Sequence, residues 1–155
     1  MKVVVEILDP KASRLRSLVK KTATGLARFF NSNKKVKNGQ VEIVLVPDRI
    51  LKKNVWSYPA PTGFPLIGKS KATPLGEIYI NPSFIERDLE NMVNLPGLQA
   101  QIKREKCLSF TTAFQYLLIH GFLHLLGYLH DKKNDRINME KEEAKILSRL
   151  ARIQK

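Results

Sequence analysis

Valine and isoleucine crowd Lys2–Leu8, which reads as a first strand, and apolar and polar positions alternate along Gln40–Val46, the period-two pattern of a second, half-buried one. Between them, Leu15, Leu18, Val19, Ala23, Leu26 and Phe30 recur at helical spacing, which predicts one helix over Lys11–Phe30. Its other face carries Arg14, Arg16, Lys20, Lys21 and Arg28, read as a solvated basic face. The polar stretch Asn31–Gly39 reads as a turn region. Asp48–Lys53 is expected as a short helix, and Asn54–Tyr58 as a third strand closed by Pro59. Trp56 and Tyr58 could stack on a base, but they are two apart on a half-buried strand, and the expectation is that one of them faces the core.

Three prolines and two glycines punctuate Ala60–Pro74, which reads as the longest loop and a candidate substrate flap or plain surface loop. Leu75–Ile80 is a fourth strand and Pro82–Met92 a helix, followed by an irregular join through Pro96 and Gly97. From about Ser109, and almost without polar interruption over Ala113–Leu126, the chain reads as a helix buried on most of its circumference. A charged helix over Asp135–Ile153 closes the sequence, with an apolar stripe of Ile137, Ile146, Leu147, Leu150 and Ile153; its EKEEAK run reads as solvated exterior. The fold class is α/β, with α+β character: a small four-stranded sheet packed with helices, in one domain spanning residues 1–155.

All three histidines of the chain fall in one run of eleven residues, HGFLHLLGYLH, from His120 to His130. Residues four apart share a helix face, about 6 Å apart along the axis, so His120 and His124 can point into one pocket. Gly127 offers a left-handed stop from which the chain can return His130 toward them. Three imidazoles with a fourth position open describe a catalytic zinc-type site, which nickel or cobalt would also fit. Helical zinc peptidases place a glutamate after the first histidine; here Gly121 stands there, so a peptidase would lack its base.

Apolar residues make up 43% of the 155, enough for a core, and the lone Cys107 forms no internal disulfide. Glu6 and Asp9 interrupt the first ten residues where a secretory segment would stay apolar, and no run approaches the roughly 18 apolar residues of a membrane span. A cytoplasmic protein without membrane insertion is expected. Lysine and arginine outnumber acidic residues 27 to 14, a net charge of +13 that points to a polyanionic partner, nucleic acid first. Glu77 is either a partner that orients a histidine or a surface strand residue.

HGFLHLLGYLH resembles the H-G-x-L-H-L-x-G-Y-D-H signature of the YbeY endoribonucleases, the ribosomal RNA maturation factors, with Leu129 in place of the aspartate and Asp131 just beyond. NVWSYP at Asn54–Pro59 is similar to the family's T-D-V-L-S-F-P strand, LGEIYI at Leu75–Ile80 to L-G-D-I-x-I, and Met139 with Glu142–Leu147 to its closing helix. The resemblance implies a zinc-type ion on His120, His124 and His130, a mostly parallel four-stranded sheet, and metal-dependent, single-strand-specific cleavage of RNA in small-subunit ribosomal RNA maturation and ribosome quality control, with small-subunit proteins as further partners. No protein side chain is assigned as catalytic beyond water activated by the ion. The family's usual arginine in Y-R-x-x-D-x-P-T-D has no counterpart in register, since DRILKKNVWSYP is shorter. Arg49, Lys52, Lys53, Lys69 and Lys71 are the substrate-binding candidates. The alternative is a non-catalytic, metal-stabilised RNA-binding assembly factor.

Overall fold

The computed structural model describes residues 1–61 and 72–153. Its order is β1 (Lys2–Ile7), a 3-10 turn (Pro10–Leu15), α1 (Arg16–Phe29), α2 (Lys34–Lys37), β2 (Gly39–Leu45), β3 (Val55–Pro59), β4 (Thr73–Ile80), α3 (Pro82–Met92), a second 3-10 turn (Pro96–Leu98), α4 (Gln99–Glu105), α5 (Phe110–Leu125) and α6 (Lys133–Ile153). The expected four strands thus form one sheet, ordered β1-β2-β4-β3. β1 and β4 flank β2 in parallel, and β3 adds an antiparallel edge to β4.

Strand alternation decides which face is covered. Val41, Ile43 and Leu45 of β2 and Ile78 and Ile80 of β4 are buried in the core with α1, α3, α5 and α6. Their neighbours Glu42, Glu77 and Tyr79 lie on the other face, beside Trp56 and Tyr58, around a cavity of about 790 Å³. The expectation that one of the rings on β3 faces the core is corrected: both point to this outer face, 40% and 54% exposed. Residues on one strand face share that fate, and the helix-facing places are taken by Val55 and Ser57.

Four segments also differ from the pattern. The long helix over Lys11–Phe30 opens as a 3-10 turn capped by the Asp9 carboxylate, which accepts from the Lys11 amide at 3.1 Å, and becomes α-helical only at Arg16. Asp48–Lys53 is not helical. The buried Asn81 amide donates to the Asp48 carboxylate at 2.8 Å and to the Leu51 carbonyl at 2.7 Å, pinning this segment as a turn over the start of α3. The join after Pro96 contains α4, whose Gln101 is buried against its neighbours. Within Asn31–Gly39 a single turn, α2, is capped by Asn33.

α5 runs through the middle of the molecule. Ser109 caps its first turn by accepting from the Thr112 amide at 3.1 Å. Gly121 lets it approach the sheet closely: a Cβ there would sit 2.9 Å from Ile78 Cγ2 and 3.4 Å from Val55 Cγ2. The helix ends at Leu126 with paired bonds, Gly127 N–H to the His124 carbonyl and Tyr128 N–H to the Leu123 carbonyl, both 3.0 Å. Gly127 takes φ +92°, the left-handed stop expected of it.

Candidate metal centre

α5 is buried nearly all round, and the helix positions left partly open include His120 and His124. The turn at Gly127 brings the exposed His130 back over them. One nitrogen from each of the three rings lies within 4.8 Å of the others. The Nε2 atoms of His120 and His124 are 3.1 Å apart, near the roughly 3.3 Å expected between two ligands held at about 2.0–2.1 Å around a tetrahedral centre.

The outer nitrogens settle which lone pairs face the pocket. His120 Nδ1 lies 2.6 Å from Glu143 Oε1, and His124 Nδ1 lies 2.9 Å from the Tyr128 carbonyl oxygen. A carbonyl only accepts, so His124 Nδ1 carries the proton; a carboxylate favours the same tautomer for His120. With both rings neutral in these tautomers, the two Nε2 lone pairs face each other, an arrangement that a shared cation would resolve. The donor set therefore fits a zinc-type ion. Burial, and then the neighbouring His120 and His130, hold the His124 pKa below its usual value, so this ring stays neutral and available as a ligand at neutral pH.

Glu143 was not legible as part of this site, and the expectation that EKEEAK is solvated exterior is corrected at this residue. It is 1% exposed, and its second oxygen accepts the Tyr116 hydroxyl at 2.8 Å. Burial and the Glu143 charge raise the Tyr116 pKa, keeping it a donor. The available signal was phase. Glu143 falls between Met139 and the Ile146–Leu147 pair, on the face of α6 that packs into the core.

The remaining candidates lie elsewhere. Glu77 accepts the Tyr79 hydroxyl at 2.9 Å on the outer sheet face, so of its two readings the surface one holds and Glu143 takes the orienting place. Arg49 is exposed in the turn after β2, and Lys52 and Lys53 are exposed in the bend before β3. Lys53 Nζ sits 4.3 Å from the centre of the Trp56 ring. Lys69 and Lys71, with most of the Ala60–Pro74 loop, lie outside the described residues. Asp131 is exposed beside His130. Among the described residues no helix is long and apolar enough to cross a membrane.

The sequence model of the family described as Endoribonuclease YbeY matches residues 6–151. The Endoribonuclease YbeY of Wolbachia pipientis subsp. Culex pipiens is 31% identical over 157 residues, covering 94% of this chain and 92% of the relative. The protein of that name from Buchnera aphidicola subsp. Baizongia pistaciae is 36% identical over 84 residues, 53% of this chain. That from Bartonella henselae is 34% identical over 99 residues, 63% of this chain. The matched stretch spans about half the length of these last two relatives, 54% and 52%.

Proposed function

The chain belongs to the endoribonuclease YbeY family, and on that premise we propose that it is a metal-dependent endoribonuclease that cleaves single-stranded RNA, with His120, His124 and His130 as the ligands of one zinc-type ion. The observation that supports the reading most is the convergence of one nitrogen from each ring within 4.8 Å, with the Nδ1 atoms of His120 and His124 each held by an oxygen on the far side of the ring. When bound, such an ion supplies Lewis acidity that activates water and polarises a phosphodiester.

The protein's own groups hold and orient. Glu143 keeps the His120 ring turned inward and leaves its negative charge close to the site, while Tyr116 holds that carboxylate in place. With Gly121 against the sheet, α5 offers no glutamate base, which removes the peptidase route. Arg49, Lys52, Lys53, Lys69 and Lys71 are proposed to contact phosphates, as point charges where lysine stands for the missing arginine fork. Trp56 and Tyr58, exposed with ring centres 6.0 Å apart, are available to stack with bases.

The proposal extends to small-subunit ribosomal RNA maturation and quality control in the cytoplasm, with the whole of 1–155 acting as one domain and small-subunit proteins as partners. The family match and the net charge of +13 support RNA as the substrate class. The test pairs elemental analysis of untagged protein with cleavage of matched single- and double-stranded RNA. About one ion per chain, lost with single-strand cleavage in His120→Ala and His124→Ala, is expected. A cyclic phosphate terminus would identify internal attack by the 2′-hydroxyl; its absence throughout the time course would identify direct hydrolysis. Metal without turnover would leave a metal-stabilised RNA-binding factor.

A further inference from the structure

A second feature lies across α5 from the histidines. The face of α1 that the sequence presents as solvated lines a groove of about 1170 Å³ with Arg14, Arg16, Lys20, Lys21 and Arg28, joined by the hydroxyls of Ser13, Ser17 and Thr24. No acidic residue lines it. Among the described residues none of its five cations pairs with a carboxylate. Arg16 donates to the Val5 carbonyl at 3.0 Å, which fixes one wall. The floor is made by Gly25 and Leu150, where the absence of a Cβ lets α6 close in: one would fall 2.1 Å from Leu150 Cδ2. Lys145 and Arg149 of α6 continue the positive surface over the Phe29 ring, 5.3 and 5.6 Å from its centre.

Holding five like charges together unpaired costs free energy, and a polyanion offsets that cost by releasing its counterions. We propose that this groove is an RNA-backbone binding surface separate from the metal centre, which holds a long RNA while another part of the same molecule reaches the histidines. α1 runs about 20 Å at 1.5 Å per residue, long enough to follow several phosphates. The opposite placement follows from helix geometry. Phe122, which packs against Phe30 at the end of α1 with ring centres 5.9 Å apart, lies two residues, roughly 200° of helix turn, from both His120 and His124. An anionic membrane would want the apolar side of a basic helix, but Val19, Ala23 and Leu26 are already spent in the core.

The proposal rests on RNA being the substrate class, and the experiment separates the two. Binding of a labelled single strand of about 30 nucleotides to metal-free protein is measured by anisotropy across a salt series, for wild type, Lys20→Glu/Lys21→Glu, Lys20→Gln/Lys21→Gln, and the exposed control Lys103→Glu/Lys106→Glu. Loss of two phosphate contacts predicts a salt slope lower by about 1.4 and binding about tenfold weaker near 0.1 M salt, in both groove variants and not in the control. With metal restored, cleavage of a strand of about six nucleotides should be unchanged while kcat/KM on the long RNA falls by a similar factor. Equal weakening by the control, unaltered binding by both groove variants, or groove-dependent binding confined to anionic vesicles would each overturn the groove. If no RNA is cleaved yet long-strand binding still depends on Lys20 and Lys21, the nuclease reading fails and the groove stands.

Discussion

Glu143 Oε1 sits 2.6 Å from His120 Nδ1, a carboxylate from the last helix holding a ring of the central one. Groups in this position orient a ligand and raise its basicity, and their loss commonly costs 10–100-fold in metal affinity. Glu143→Gln should therefore weaken metal binding by about 10–100-fold with little change in fold. Glu143→Ala should in addition leave the Tyr116 hydroxyl without its acceptor, at a cost of about 1–3 kcal/mol. Competition with a coloured chelator reads the first effect and denaturant unfolding the second. Unchanged affinity in both variants would remove Glu143 from the site.

His120 and His124 stand on a helix locked by the core, whereas His130 is exposed on the returning turn. Zinc at about a hundred times its dissociation constant should stabilise the folded protein by about 2.7 kcal/mol. His130→Ala should abolish that gain and leave the metal-free melting temperature nearly unchanged. His120→Ala should lower the metal-free value as well, because it strands the buried Glu143. Calorimetry with and without zinc distinguishes the two patterns.

Gly121→Ala gains about 1 kcal/mol of helix propensity but drives a methyl to 2.9 Å from Ile78 Cγ2. Overpacking of this kind costs about 1–3 kcal/mol, so net destabilisation is expected in urea melts. Gly121→Glu restores the letters of a peptidase motif, yet its side chain would start toward the sheet rather than the histidines. It should unfold more easily and hydrolyse no peptide; casein turnover in that variant would contradict the packing argument.

The Glu77 carboxylate accepts the Tyr79 hydroxyl at 2.9 Å, and this bond, with burial and the Glu77 charge, pushes the Tyr79 pKa up to about 12. Since the unfolded chain ionises this tyrosine near 10, it loses protons first as pH rises, and folding stability from this group falls between about 10 and 12. An ultraviolet titration should show one phenol moving back toward 10 in Glu77→Gln. A titration curve identical to wild type would show that the bond does not govern Tyr79.

The strands β2 and β3, the buried helix and its two facing histidines were legible because each rests on a local pattern: alternation for β2 and β3, a near-continuous apolar run for α5, and a spacing of four for His120 and His124. Gly127 announced the turn that returns His130 for an equally local reason, its tolerance of a positive φ. What escaped depended on partners far along the chain. Asp48–Lys53 was drawn out of a helix by Asn81, and Glu143 looked like one more charge in an acidic run until α6 turned it toward Tyr116 and His120. Trp56 and Tyr58 shared a face as expected, but which face was set by how α5 lies on Val55 and Ile78.

The Gly127 turn also divides the three donors into two kinds, two set on a buried helix and one delivered from outside it. A Cβ at Gly127 would meet nothing within 4 Å, so no neighbouring element braces the bend from that side, and the imidazole it delivers faces solvent. An ion held there would rest on two donors fixed by the core and one within reach of water, so His130 is the ligand that a soluble chelator or a competing anion would meet first.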